Sequence, residues 1–216
     1  ELENGVAQIA NDDSVAMRIR FLGRAPPPEA LYFRGPVMSS FDGREWTRLT
    51  PSFAPALRPG TDLQLRGTPV RYEVTLEPSR LALLPLLEAT PDRPDSAPLL
   101  PGMGATLRPD LQWQASQPIM ERVRFETQAW PLFRHGPRTA VIGLRDLVAL
   151  PPGYNPRTLT WAAELRRQPR YTEADARTMA DVVMSHIRTD GFTYTLEPGT
   201  YGRDAVDEFW RSEEHT

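Results

Sequence analysis

Residues 70–77 read VRYEVTLE. Val70, Tyr72, Val74 and Leu76 fall on one side, and Arg71, Glu73, Thr75 and Glu77 on the other. Successive side chains of a strand point to opposite faces, so this stretch predicts a strand with one buried and one wet face. The same alternation recurs on either side of it along the chain. In Ser14–Leu22, Val15, Met17, Ile19 and Phe21 oppose Arg18 and Arg20. In Glu121–Ala129, Val123, Phe125 and Thr127 oppose Arg122, Arg124 and Glu126. Half-wet strands of this kind are antiparallel and pack two sheets deep.

Proline sets the lengths of these elements. Most of the 23 prolines lie between Ala25 and Pro156, at intervals that forbid long helices. Asp42-Gly43, between Phe41 and the run ending at Trp46, predicts a tight hairpin whose turn takes positive φ, with Phe41 and Trp46 on one sheet face. Leu111–Ser116 (LQWQAS) reads as a further strand, with Leu111, Trp113 and Ala115 in line. Ser52–Thr68 and Thr90–Arg108 read as long Pro/Gly-rich loops.

From Pro151 the grammar becomes helical. Asn155-Pro156 reads as a helix start, Asn as cap and Pro in the first turn, with Leu159, Ala162, Ala163 and Leu165 following. A second helix is expected from Thr172, with an apolar stripe of Ala176, Met179, Ala180, Val183 and Ile187 and a stop at Gly191. A short alternating strand, Phe192, Tyr194 and Leu196, is expected next. The predicted fold class is α+β: a mainly antiparallel, β-sandwich-like domain over 1–150, then a small helical part over 151–216.

Composition narrows the function classes. The chain has 25 basic and 28 acidic residues, a formal charge of −3, and its basic residues are all arginines scattered along it. That is no footprint for nucleic acid. There is no cysteine, which removes disulfides, thiolate metal sites and thiol nucleophiles from these 216 residues. No apolar run approaches the roughly 20 residues of a membrane helix. The first residues, ELENGVAQ, lack the basic end and apolar centre of a signal peptide, so the chain as it stands is expected to be soluble.

Candidate chemistry is sparse. Ser185-His186 is a tempting pair, but neighbours on a helix point about 100° apart and cannot act as nucleophile and base. His135 lies in a loop and His215 in a polar tail, so no two histidines have ligand spacing. Asp207-Glu208 and Glu213-Glu214 are carboxylate pairs, read as solvated charges with one capping a neighbouring turn. Gly102-Met103-Gly104 precedes no helix and makes a weak phosphate cradle. Trp113 and Trp130 have the chemistry to stack on sugar rings, with core packing the favoured reading. No catalytic residue, metal ligand or cofactor-binding residue is assigned, and no cofactor is expected.

Two stretches carry a family resemblance. NDDSVAMRIRF with PPPEALYFRGPVMSSFDGREW, and GFTYTLEPGTYGRDAVDEFW (Gly191–Trp210), resemble the periplasmic region of the TgpA-type transglutaminase-like membrane proteins of bacteria. The first is similar to that family's N-terminal hallmark of an Arg-rich strand, Tyr-x-Arg-Gly and Phe-Asp-Gly-x-x-Trp. The second is similar to the entry into its transglutaminase-like core, where a Val-Asp-Glu-Phe strand is expected. The resemblance implies a papain-like Cys-His-Asp centre whose cysteine follows that strand in a Gly-Phe-Cys-Glu-His-type motif. Here Val206, Asp207, Glu208 and Phe209 are followed by Trp210 and RSEEHT, with Glu213 where the cysteine would stand before Glu214-His215.

The resemblance therefore implies a non-catalytic support or substrate-presenting region, on the periplasmic side of the inner membrane, that ends before its active centre. Its expected partners are the catalytic core and transmembrane helices of the same polypeptide, with a periplasmic protein or peptidoglycan as further candidates. An independent module binding cell-wall glycan or peptide is the alternative, motivated by Trp113, Trp130 and the Pro/Gly-rich loops. A hydrolase built on Ser185-His186 is a third reading.

Overall fold

The computed structural model describes residues 14–192 and 201–210. Its contacts divide the chain into two units. One is Asp13–Ser40 with Thr47–Val148; the other gathers Phe41–Trp46 and the residues from Ala149 onward.

The β-rich unit is built on the predicted alternation. Strands β1 (Met17–Phe21), β6 (Val70–Leu76) and β11 (Val123–Ala129) form an antiparallel sheet with β6 in the middle. Met17 pairs with Leu76, Ile19 with Val74 and Phe21 with Tyr72; across the other edge Val123 meets Leu76 and Phe125 meets Val74. Because these pairs keep apolar opposite apolar, with only Thr127 opposite Tyr72 departing, one face is core. A second antiparallel sheet, β7 (Leu83–Leu84), β10 (Trp113–Ala115) and β9 (Ala105–Leu107), supplies the facing layer. Tyr72, Val74 and Phe125 from the first sheet share one cluster with Leu84 and Trp113 from the second, and with Ile119. The fold is thus α+β and mainly antiparallel, as the sequence predicts.

Polar groups inside this core are matched. The Tyr72 hydroxyl accepts from the Leu87 amide at 3.0 Å and lies 3.4 Å from the Thr90 hydroxyl, which donates to the Leu87 carbonyl at 2.8 Å. Burial pushes the Tyr72 phenol up to about 12. The Trp113 indole N–H donates to the Thr90 carbonyl at 2.9 Å.

The opposite face of the first sheet is an arginine–glutamate ladder. Glu73 accepts from Arg20 at 3.1 Å and meets Arg124 at 2.6 Å; Glu77 meets Arg18 at 2.6 Å and Arg122 at 2.9 Å. Hydrogen bonds from Arg20 and then Arg124 hold Glu73 down at about 2, against an ordinary 4.5. A carboxylate depressed on folding stabilises fully above its unfolded value and loses that contribution as pH falls through its folded one. Stability is therefore expected to drop between pH 4.5 and about 2, and Glu73→Gln to flatten that limb. Urea midpoints measured across this window check it; equal slopes for the two proteins would count against the ladder.

Several local expectations need correction. The loop expected over Ser52–Thr68 contains β5 (Gln64–Arg66), paired with β12 (Leu132–Arg134). Likewise β9 lies inside the second expected loop, and β2 (Phe33–Arg34) pairs with β8 (Leu86–Leu87). The hairpin exists as β3 (Ser40–Phe41) and β4 (Trp46–Thr47), with the Phe41 and Trp46 rings stacked at 5.0 Å. Its turn is wider than a two-residue one. Gly43 takes φ +110°, while the Asp42 carboxylate accepts from the amides of Arg44 and Glu45 at 2.8 and 2.9 Å. The turn packs in the helical unit: a Cβ on Gly43 would sit 2.6 Å from the Tyr154 ring.

In the helical unit, α1 (Pro156–Arg167) and α2 (Ala176–Thr189) follow the predicted order. The second begins later than Thr172. Asp175 is its cap, accepting from the Thr178 amide at 2.8 Å, and Thr172 follows a short 3-10 turn at Pro169–Tyr171. The inward face of α1 also differs. Thr158, Trp161 and Leu165 point in, whereas Leu159, Ala162 and Ala163 are exposed. On α2, Met179, Val183 and Ile187 are half-buried, but Ala176 and Ala180 are exposed. Gly191 closes α2 at φ +81°. The Val-Asp-Glu-Phe run is a helix, α3 (Ala205–Phe209), instead of a strand. Beyond Phe192, the strand expected through Tyr194 and Leu196 lies outside the described residues, as do Glu213-Glu214 and His215.

Candidate functional site

The helical unit concentrates its chemistry where α1, α2 and α3 meet. Asn155, just before α1, adopts the left-handed conformation at φ +51°, and its side chain makes no cap bond to its own helix. Asn155 Oδ1 instead accepts from the Val206 and Asp207 amides at 3.0 and 3.3 Å, capping α3. Asp207 returns the favour to α1: its carboxylate accepts from the Arg157 amide at 2.9 Å, the Thr158 amide at 2.6 Å and the Thr158 hydroxyl. Asp204 Oδ1 accepts from the Asn155 amide at 2.6 Å. Burial alone would push the Asp207 carboxyl up, yet the Thr158 hydroxyl and the two amides together leave it below the usual carboxylate range. The expected Asn155 cap is thus real in position but serves a helix 50 residues away, and the expected solvation of Asp207 is wrong: it is buried. Glu208 is exposed and accepts from the Gly202 amide at 2.7 Å.

Beside these caps lies an aromatic cluster. The His186 ring stacks on Trp210 at 5.2 Å and lies 5.7 Å from Trp161 and 5.8 Å from Phe192; Phe209 joins through Phe192 and Trp210. His186 Nδ1 is 2.6 Å from the Asp190 carboxylate, one turn along α2. A cavity of about 160 Å³ is lined by Arg157, Thr158, Trp161, His186 and Trp210. The Trp210 indole N–H is buried without a hydrogen-bond acceptor among the described residues. The cavity can seat a side-chain-sized group with an acceptor atom. Its one wall hydroxyl, Thr158, is engaged by Asp207.

The remaining candidates are dispersed. Ser185 does not line the cavity with His186; its carbonyl takes the Thr189 hydroxyl at 2.9 Å. His135 is exposed and 2.9 Å from the Pro109 carbonyl. Among the described residues no cluster of three His, Asp or Glu has the geometry to hold a metal ion. Gly104 spends its amide on the Ser116 hydroxyl at 3.2 Å, inside a turn leading into β9. Trp113 is 2% exposed, so its ring is core and not a sugar platform. Trp130 is half-buried with the Arg93 guanidinium 5.8 Å over its ring.

The sequence did not flag Trp161, and it named Phe209 and Trp210 only within the family motif, not as parts of an aromatic cluster. One signal was available: His186 stands a helical turn from Val182 and Val183, on the half-buried face of α2. Among the described residues no helix is long and apolar enough to cross a membrane.

Comparison with known proteins places these features. A protein-glutamine gamma-glutamyltransferase of Pseudomonas aeruginosa is 32% identical over 212 residues, which is 94% of this chain and 28% of that protein. The chain therefore spans little more than a quarter of that relative. A crystal structure of the periplasmic domain of TgpA from P. aeruginosa bound to ethylmercury matches with a TM-score of 0.77 at 28% identity, over 97% of this chain and 69% of that one. A second crystal structure of the same periplasmic domain gives 0.76 at 30% identity, over 94% and 66%. The model of the TgpA N-terminal domain matches residues 4–134, and the chain belongs to that family.

Proposed function

We propose that this region is a non-catalytic periplasmic support for a transglutaminase-like enzyme, positioning the catalytic core and presenting substrate to it. The observation that carries the reading is the pairing of an alignment along nearly all of this chain with the absence of any thiol. The chain aligns along 94% of its length with a glutamine gamma-glutamyltransferase, yet it contains no cysteine. Ethylmercury, bound in the solved TgpA domain, is a thiol-seeking reagent, and nothing in these 216 residues offers it a thiolate.

The partners implied are the rest of the same polypeptide, its catalytic core and transmembrane helices, on the periplasmic side of the inner membrane. The mutual capping of α1 and α3 holds the Val-Asp-Glu-Phe helix of the family motif against α1, which supports a positioning role. The test is an assay of the protein for acyl transfer from glutamine to an amine and for peptide hydrolysis. No turnover is expected; turnover abolished by His186→Ala would overturn the proposal.

A further inference from the structure

The outer face of the β1-β6-β11 sheet has a layered charge distribution. Glu73 and Glu77 sit close to the backbone, with side chains 11% and 20% exposed. The arginines that hold them, Arg18, Arg20, Arg122 and Arg124, are 58–65% exposed. Arg71 adds a fifth guanidinium at 67%, 3.7 Å from Glu126, which at 56% is the one outward carboxylate of the ladder. Apart from Glu126, whatever approaches this face meets guanidinium first and carboxylate behind it.

Each guanidinium carries five N–H donors. Glu73 engages Nε and Nη2 of Arg20 and Nη2 of Arg124; Glu77 engages Nη1 of Arg18 and Nε of Arg122. The other donors have no partner within the ladder. The ion pairs therefore fix the arginines in an array, about two residues apart along each outer strand, without using up their hydrogen-bonding capacity. These guanidinium groups share the outer face of one three-stranded sheet, and a guanidinium suits a phosphate's paired oxygens.

We propose that this face is a docking surface for the phosphate headgroups of an anionic lipid bilayer. A plane of phosphates offers an acceptor to every guanidinium at once, which a single small anion cannot do. The matching solved domains are periplasmic, in a compartment bounded by such membranes.

Co-sedimentation with vesicles tests it, comparing phosphatidylglycerol-containing vesicles with vesicles of phosphatidylcholine alone. Binding is expected for the anionic vesicles only, and to weaken as salt screens it. The triple variant R18Q/R71Q/R122Q leaves the Arg20–Glu73–Arg124 bridge in place. It is expected to bind at least about tenfold more weakly, since each cation near an anionic surface contributes roughly a fivefold factor. It removes both partners of Glu77, so a lower thermal midpoint is expected, and binding is compared at a temperature where both proteins are folded. Should the triple variant be unstable, Arg71→Gln alone decides, with about a fivefold loss expected. Equal binding to both vesicle types, or unchanged binding by the variants, would overturn the proposal.

Discussion

Trp113→Ala is expected to destabilise the β-rich unit by about 3–5 kcal/mol, the cost of deleting a buried indole from a close-packed core. The ring is 2% exposed and stands opposite Leu84 on one neighbouring strand and Leu107 on the other. Its removal opens a cavity between the two sheets and also strands the Thr90 carbonyl that the indole N–H satisfies at 2.9 Å. Trp113→Phe separates the two effects: it keeps most of the volume and loses the hydrogen bond, so a smaller cost of about 1–3 kcal/mol is expected. Urea unfolding reads both, as a lower midpoint with an unchanged slope. A midpoint unmoved by Trp113→Ala would place the ring at a surface, where the glycan-stacking alternative needs it.

What the sequence disclosed depended on how far apart the interacting residues lie. Arg18, Arg71 and Arg124 could be put on the wet face, and Ile19, Val74 and Phe125 on the core face, because strand periodicity is local and needs no partner. Strands of three residues or fewer seldom establish a period, although Leu111–Ser116 was readable as a strand containing β10. Gln64–Arg66 and Leu132–Arg134 exist only by pairing across 66 residues of chain, so loop composition concealed them. Residues 206–209 show the opposite failure: four residues look alternating in any conformation that is not yet fixed. Asp204, Ala205 and the cap from Asn155 make them a helix.

The cavity was the least legible feature. His186 was read through its neighbour Ser185, whereas its surroundings come from Trp161 on α1 and Trp210 after α3. Nothing in a helical repeat announces a contact between elements so far apart. The family resemblance, carried by the Phe-Asp-Gly-x-x-Trp hallmark at 41–46, proved more durable than the local reading of its turn. That turn is held by Asp42 and by the close approach of Gly43 to Tyr154, not by two left-handed residues.

Asp207→Ala should have the largest effect in the helical unit, about 2–4 kcal/mol, combining a lost cap with buried donors left unpaired. The Arg157 and Thr158 amides at the start of α1 have no intrahelical acceptor, and Asp207 serves both. Asp207→Asn is a stringent comparison, because its single oxygen could serve one of the two amides while its amide nitrogen would face the N–H of the other. It should recover less than half of the loss. Hydrogen exchange gives the readout: the Arg157 and Thr158 amides are expected to lose protection, and the Val206 and Asp207 amides capped by Asn155 to follow. Amides of β6, in the other unit, serve as the internal reference. The pH dependence has a defined sign. With its carboxyl held below the ordinary 3.8, the folded state resists a proton that the unfolded chain accepts, so this contribution is present above that value and disappears as pH falls through the folded one. If the Arg157 and Thr158 amides exchange no faster in Asp207→Ala, the two helices are held by the Trp161–His186–Trp210 stack instead, and the caps merely accompany it.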